Sequence, residues 1–139
     1  MNNTTRKRGK YNKRQEKQKM EIIKTNIANL ADDKKTLYRL TMGESISVQK
    51  MDDDALSESY PVHAYVLRKD VNSKNENVEI LSILTEYQGR SVVLSTVSAT
   101  FKQEFFKMLD LFGAEDFSIR ITTGNSKSGR RYMSCTLGD

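Results

Sequence analysis

Two runs near the C-terminus alternate apolar and polar residues with a period of two. Their apolar members are, in order, Phe117, Ile119 and Ile121, and then Met133, Cys135 and Leu137. Because successive side chains of a strand point to opposite faces, each set predicts the buried face of a β-strand. The polar segment 124–131 lies between the two runs and predicts a flexible basic loop, so the pair is interpreted as an antiparallel hairpin.

The middle of the chain contains further runs that are rich in apolar and β-branched residues. They predict a short strand around Ile46 and Val48 and longer strands over 62–69, 78–87 and 91–97. The run 62–69 is apolar on both parities, which is typical of a central strand or of one that curves around a barrel. The link Gln88-Gly89-Arg90 is short enough for a second hairpin.

The clearest helical pattern covers residues 100–112. Its aromatic and apolar stripe consists of Phe101, Phe105, Met108 and Phe112. These positions share one face of a helix, and such a face normally packs into a protein core. Thr100 with Gln103 predicts a capping box at the start, and Gly113 predicts a left-handed residue at the end.

A second helix is predicted over residues 20–31. The spacing of Met20, Ile23, Ile27 and Leu30 places these side chains on one apolar stripe. The stripe either packs on the protein's own domain or forms a short seam with a second copy of the chain. The latter would make the protein a homo-oligomer.

Positive charge is concentrated at the N-terminus. Residues 1–19 contain eight basic side chains and one acidic side chain, whereas the whole chain has a net charge of +5. We therefore divide the chain into a disordered basic arm (1–19), an amphipathic helix with a polar link (20–35) and a β-rich domain (36–139). The arm is interpreted as a phosphate-binding tail, with a merely solubilising tail as the alternative. Its candidate nucleic-acid ligands are Arg6, Lys7, Arg8, Lys10, Lys13 and Arg14.

Few residues suit catalysis or metal binding. The chain has one histidine, His63, and one cysteine, Cys135, which is too few for a four-ligand zinc site. Gly124 and Gly129 have the separation of a phosphate-binding loop, but a strand is predicted after them instead of the required helix. We expect no cofactor, no metal and no enzymatic activity. An enzyme would require His63 to lie in a cleft against a carboxylate and to have a perturbed pKa.

The final hairpin provides the positive signal for function. Its outward face and its loop combine cations and one aromatic ring among small hydroxyl residues, namely Arg120, Lys127, Arg130, Arg131 and Tyr132. A base could stack on Tyr132, which we expect to lie beside Arg120, while the loop cations follow the phosphates. Proteins that bind single strands divide the work in this way.

Three segments carry a resemblance to a known family. They are Glu79–Thr85 (EILSILT), Ser98–Phe105 (SATFKQEF) and Ser126–Met133 (SKSGRRYM), and together the region resembles small OB-fold single-stranded DNA-binding proteins of phages and bacterial mobile elements. The resemblance implies an OB-like antiparallel barrel whose core helix precedes the terminal hairpin. Together with the residue patterns, this predicts a mainly β protein with helices (α+β), to which an N-terminal helix and a basic arm are added.

The resemblance also implies a function. This function is sequence-tolerant binding of single-stranded DNA, with RNA as a further candidate ligand. The protein would act in DNA replication or recombination in the cytoplasm of a bacterial host. A single cysteine agrees with such a reducing compartment, and no apolar run reaches the roughly 18–20 residues needed to span a membrane. The alternative is a regulatory protein of a mobile element that binds a protein partner, or duplex DNA or RNA, without catalysis.

Overall fold

A computed structural model describes residues 20–113 and 115–138. Within these residues the chain is mainly β with helices, as the strand and helix patterns predict. The strands are β1 (Glu21–Thr25), β2 (Ile46–Ser47), β3 (Ser59–Pro61), β4 (Ala64–Val71), β5 (Asn77–Tyr87), β6 (Arg90–Thr96), β7 (Ser118–Asn125) and β8 (Arg131–Leu137). The helices are α1 (Lys34–Thr41), α2 (Asp53–Leu56) and α3 (Ala99–Phe112), with a 3-10 turn at Val48–Lys50.

The strands form two sheets. The larger sheet has the order β1-β4-β5-β6-β2, and the smaller has the order β3-β7-β8. All neighbouring strands are antiparallel except β2 and β6. Only Val62 and His63 separate β3 from β4, so one stretch of chain contributes to both sheets. Over the described residues, hydrogen bonding does not close the two sheets into a barrel.

The main core lies between the two sheets and α3. Phe101 and Phe105 of α3 are fully buried there, which confirms the apolar stripe. The predicted capping box is wrong, because Ser98 and not Thr100 caps the helix. The Ser98 hydroxyl accepts a hydrogen bond from the backbone N–H of Phe101 at 3.2 Å. Gly113 ends the helix with a φ of +63°, as predicted.

The predicted helix over residues 20–31 is wrong. Residues 21–25 form β1, which pairs with the edge of β4 and has a bulge at Ile23. The sequence EIIKT is rich in β-branched residues, and β4 offers an unpaired backbone edge that a helix could not use. Asn29 then turns the chain, and its side-chain oxygen accepts a hydrogen bond from the N–H of Ala31 at 3.0 Å.

The single apolar stripe proposed as an oligomer seam is therefore not formed. Ile27 packs against a second hydrophobic cluster of the same chain, which includes Leu40, whereas Ile23 is exposed. Met20 and Leu30 are half-buried. Because β1 belongs to the same sheet as β4, the segment 20–35 is not a separate helical unit in front of the β domain.

The second hydrophobic cluster lies on the other side of the larger sheet, under α1. Leu40 of α1 packs there with Ala64, Val66 and Val93, and Leu37 packs at its margin. A buried Arg68 links the helix to the sheet, because its guanidinium donates to the Leu40 carbonyl at 3.2 Å and to the Ser82 hydroxyl at 2.9 Å. The outer side of β4, β5 and β6 is thus covered by α1.

Asp52 caps α2, because its carboxylate accepts a hydrogen bond from the backbone N–H of Ala55 at 2.9 Å. One smaller expectation from the sequence also changes. Leu137, expected in the core with Met133 and Cys135, is 43% exposed. It is the last residue of β8 and lines a groove between α3 and β8.

Candidate nucleic-acid interface

The outward face of the smaller sheet contains the predicted binding residues. Ile119, Ile121, Met133 and Cys135 are buried, so the alternate positions of β7 and β8 point away from the core. Tyr132 is one of them and is 40% exposed. The predicted register of both strands is therefore confirmed for these residues.

Tyr132 is positioned by the glycine that lies opposite it. Gly124 and Tyr132 are direct partners across β7 and β8. A Cβ atom added to Gly124 would lie 2.5 Å from both Cζ and the hydroxyl oxygen of Tyr132, which is an impossible contact. The ring therefore lies across the bare backbone of β7, and its other side remains in solvent. An aromatic ring that covers a cross-strand glycine is a known device for fixing a sheet.

The β7–β8 turn is closed by backbone hydrogen bonds and carries cations. The N–H of Gly129 donates to the carbonyl of Ser126 at 2.8 Å, and the N–H of Ser126 donates to the carbonyl of Arg130 at 2.8 Å. Gly129 has a φ of +82°, a conformation that glycine adopts at no steric cost. The three exposed cations at or beside this turn are Lys127, Arg130 and Arg131.

Charge in this part of the chain has one sign. Residues 117–138 contain four basic side chains and no acidic one, although the chain as a whole contains 18 acidic residues. A phosphate backbone approaching β7 and β8 would thus meet no carboxylate from these strands. The surface suits a polyanion that also offers flat aromatic bases.

Arg120 does not lie beside Tyr132 as expected. It pairs with Thr136, four residues along β7 from the Gly124–Tyr132 pair, which corresponds to about 13 Å at the usual rise of a strand. Its guanidinium donates to the carbonyl of Gly138 at 3.3 Å, near the opposite end of the hairpin. The error arose because a shared outward face fixes parity but says nothing about distance along the strands.

The six candidate residues of the arm, from Arg6 to Arg14, lie outside the described residues. Their role in phosphate binding stays a prediction. The arm carries the densest positive charge of the sequence.

The two residues considered for catalysis are separate from this surface. His63 Nε2 lies 2.8 Å from a carboxylate oxygen of Glu86, and both side chains are exposed. Cys135 is buried, and its thiol donates to the carbonyl of Phe101 at 3.7 Å. Burial, with a smaller contribution from Glu104, raises the pKa of this thiol to about 12, which disfavours the thiolate needed for nucleophilic attack.

The described residues contain neither a metal-binding cluster nor a membrane-spanning helix. No group of three or more His, Cys, Asp or Glu side chains in 20–113 and 115–138 is arranged to hold a metal ion. Among the same residues, every helix is too short or too polar to cross a membrane.

Sequence reasoning did not identify Gly124 as part of the surface. The signal was present, since an isolated glycine inside a strand pattern often marks a close approach by another group. Its partner could not be known before the register of the hairpin was fixed.

The chain matches no protein-family model, no curated protein and no solved structure.

Proposed function

We propose that the protein binds single-stranded DNA with little sequence preference and without catalysis, in DNA replication or recombination of a phage or mobile element. The observation that carries the proposal is the position of the Tyr132 ring, which lies across Gly124 and has one side in solvent. The ring belongs to a hairpin whose turn contains basic side chains and no acidic one. Every base has a face that can stack on such a ring, so this kind of contact tolerates any sequence. A duplex keeps its bases stacked inside and offers no such face.

The order of the strands supports an OB-like arrangement. If β3 and β4 count as one strand, then β5 and β6 follow as a meander, α3 comes next, and β7 and β8 form the final hairpin. β3 also pairs with β7, as the first and fourth strands of an OB-fold would. In this interpretation the β7–β8 turn is one of the two loops with which OB-folds bind oligonucleotides. We propose an open variant of that fold.

A protein-binding role is the second candidate, and one observation favours it. Leu111 of α3 is 78% exposed and, with the half-exposed Leu137, lines a groove between α3 and β8. Exposed apolar side chains that lie together are common at protein interfaces. A protein that used this groove alone would be insensitive to changes at the β7–β8 turn.

Changing Arg130 and Arg131 together to Ala tests the proposed function. We expect weaker binding of a single-stranded oligonucleotide in a fluorescence-polarisation titration. The slope of log K against log salt should also become shallower by about 1.4, since each phosphate contact contributes about 0.7 on single strands. Titrations with single-stranded DNA, duplex DNA and RNA at several salt concentrations supply the comparison.

A matched control removes two positive charges elsewhere. Lys102 and Lys107 lie on α3 in a region that also contains Glu104 and Asp110. Their double change to Ala should leave the salt slope unaltered. The proposal is wrong if the wild-type protein prefers duplex DNA, or if both double variants change binding equally.

Deleting residues 1–19, so that the chain begins at Met20, tests the arm. The melting temperature should change little, because the two hydrophobic clusters are built from Ile22 onward and the arm is almost devoid of apolar side chains. The salt slope should become shallower by roughly 0.7 for each cation that meets a phosphate. An unchanged slope would contradict a phosphate-binding arm and leave the solubilising tail.

A further inference from the structure

Helix α1 has two sides of opposite character. Its Leu37 and Leu40 pack on the sheet beneath. On the other side Tyr38 is 60% exposed and Met42, just after the helix, is 68% exposed. Tyr38 is therefore more exposed than Tyr132, and its ring contributes little to the core.

Three cations lie on the same helix as this exposed ring. Residues 34–43 contain three basic side chains and no acidic one, and the nearest carboxylates along the chain, Asp33 and Glu44, lie beyond the two ends of the helix. Lys34 precedes Tyr38 by four residues and Lys35 precedes it by three, so both share its side of the helix. An exposed aromatic ring between cations repeats the combination found at Tyr132.

Arg39 is held at the edge of a groove beside the same helix. Its guanidinium donates to the carbonyl of Ser91 at 3.2 Å, next to Arg90 at the start of β6. The groove has a volume of about 450 Å³ and is lined by Arg39 and Ser91, by residues of β2 and β6, and by the segment between α1 and β2, which includes the carboxylate of Glu44. A guanidinium fixed by one hydrogen bond still has donors left for a phosphate.

We propose that Lys34, Lys35, Tyr38 and Arg39 form a second contact surface, which binds the same single-stranded nucleic acid as the β7–β8 hairpin. The inference rests on the proposed function. Because α1 packs on the outer side of the larger sheet, a single-stranded nucleic acid that reaches this side of the molecule meets α1 and the groove between α1 and β6. A long single-stranded nucleic acid then contacts the rings of Tyr38 and Tyr132 on separate surfaces, whereas a short one occupies one surface at a time.

The test compares two oligonucleotide lengths. Fluorescence polarisation is measured with single strands of about 8 and about 30 nucleotides, the shorter being within the usual footprint of one domain. Tyr38→Ala should weaken binding of the long strand about fivefold or more and that of the short strand less than twofold. Tyr38→Phe should retain the wild-type affinity, because stacking requires the ring and not the hydroxyl group.

Leu111→Ala is the matched control, since it also removes a large exposed side chain from a helix. It should change neither titration. A Lys34→Ala, Lys35→Ala double variant tests the same surface without touching the ring, and it should make the salt slope shallower for the long strand only.

The possible outcomes separate the two proposals. If Tyr132→Ala weakens binding while Tyr38→Ala and the lysine variant bind both lengths like wild type, the second surface is overturned and the proposed function stands. If the wild-type protein binds no single strand of either length, the proposed function fails and the inference fails with it. Equal losses for Tyr38→Ala and Leu111→Ala would also overturn it.

Discussion

Phe105→Ala should lower the free energy of unfolding by about 3–5 kcal/mol, the usual cost of deleting a buried aromatic side chain and leaving a cavity. The Phe105 ring is fully buried and lies at the centre of an aromatic cluster. Its centroid is 5.5 Å from that of Tyr65, 5.4 Å from that of Phe106 and 6.1 Å from that of Phe117. These neighbours come from β4, from α3 and from the residue that precedes β7, so one deletion loosens contacts among three parts of the fold.

Equilibrium unfolding in urea measures this effect. Leu111→Ala is a control on the same helix, and with 78% of the side chain exposed it should change stability by less than about 0.5 kcal/mol. If Phe105→Ala unfolds at the same urea concentration as wild type, α3 is not the central element of the core.

The strongest periodic patterns predicted their own helices and strands correctly. The stripe of α3 spans three turns, and the strands β5, β7 and β8 carry seven or more residues each. Long patterns leave little ambiguity about period, and here the local preference and the buried face agree. The end of α3 was also predictable, because Gly113 adopts a positive φ that few other residues tolerate.

The N-terminal elements were predicted poorly for a physical reason. Residues 20–31 have apolar side chains at helical spacing, but only five of them form an element, and that element is a strand. What decides its structure is the free edge of β4, which lies more than 40 residues later in the sequence. Helix α1 has eight residues and buries only Leu40 completely, so its pattern is too short to distinguish it from a polar link.

The candidate site was partly predictable. Alternation fixed the outward direction of Tyr132, and composition placed cations in the turn. The distance between Arg120 and Tyr132 depends on the pairing register, which alternation alone does not fix. The role of Gly124 likewise became visible only when its cross-strand partner was known.

Tyr132→Ala should weaken single-strand binding by about 1–3 kcal/mol, which is the usual contribution of one stacked base. Its effect on stability should be smaller, about 0.2–1 kcal/mol, because an exposed cross-strand ring contributes no more than that. Tyr132→Phe keeps the ring and should retain most of the affinity. Thermal melts and polarisation titrations on the same samples measure the two quantities.

Gly124→Ala tests whether affinity depends on where the ring lies. The new methyl group would occupy the position 2.5 Å from Cζ of Tyr132, so the ring has to leave the backbone of β7. No cation and no aromatic group is removed, and Ala is at least as compatible with a strand as Gly. We therefore expect weaker binding with a nearly unchanged melting temperature.

The double variant Gly124→Ala, Tyr132→Ala completes the cycle. If Gly124 acts only by holding the ring, the double variant should bind as weakly as Tyr132→Ala and no more weakly, since the three atoms nearest to the extra methyl group all belong to the Tyr132 side chain. Two residues that act through one contact give such non-additive changes, whereas independent residues give changes that add. Additive losses would mean that Gly124 itself contacts the nucleic acid, for example by letting a phosphate approach the backbone of β7.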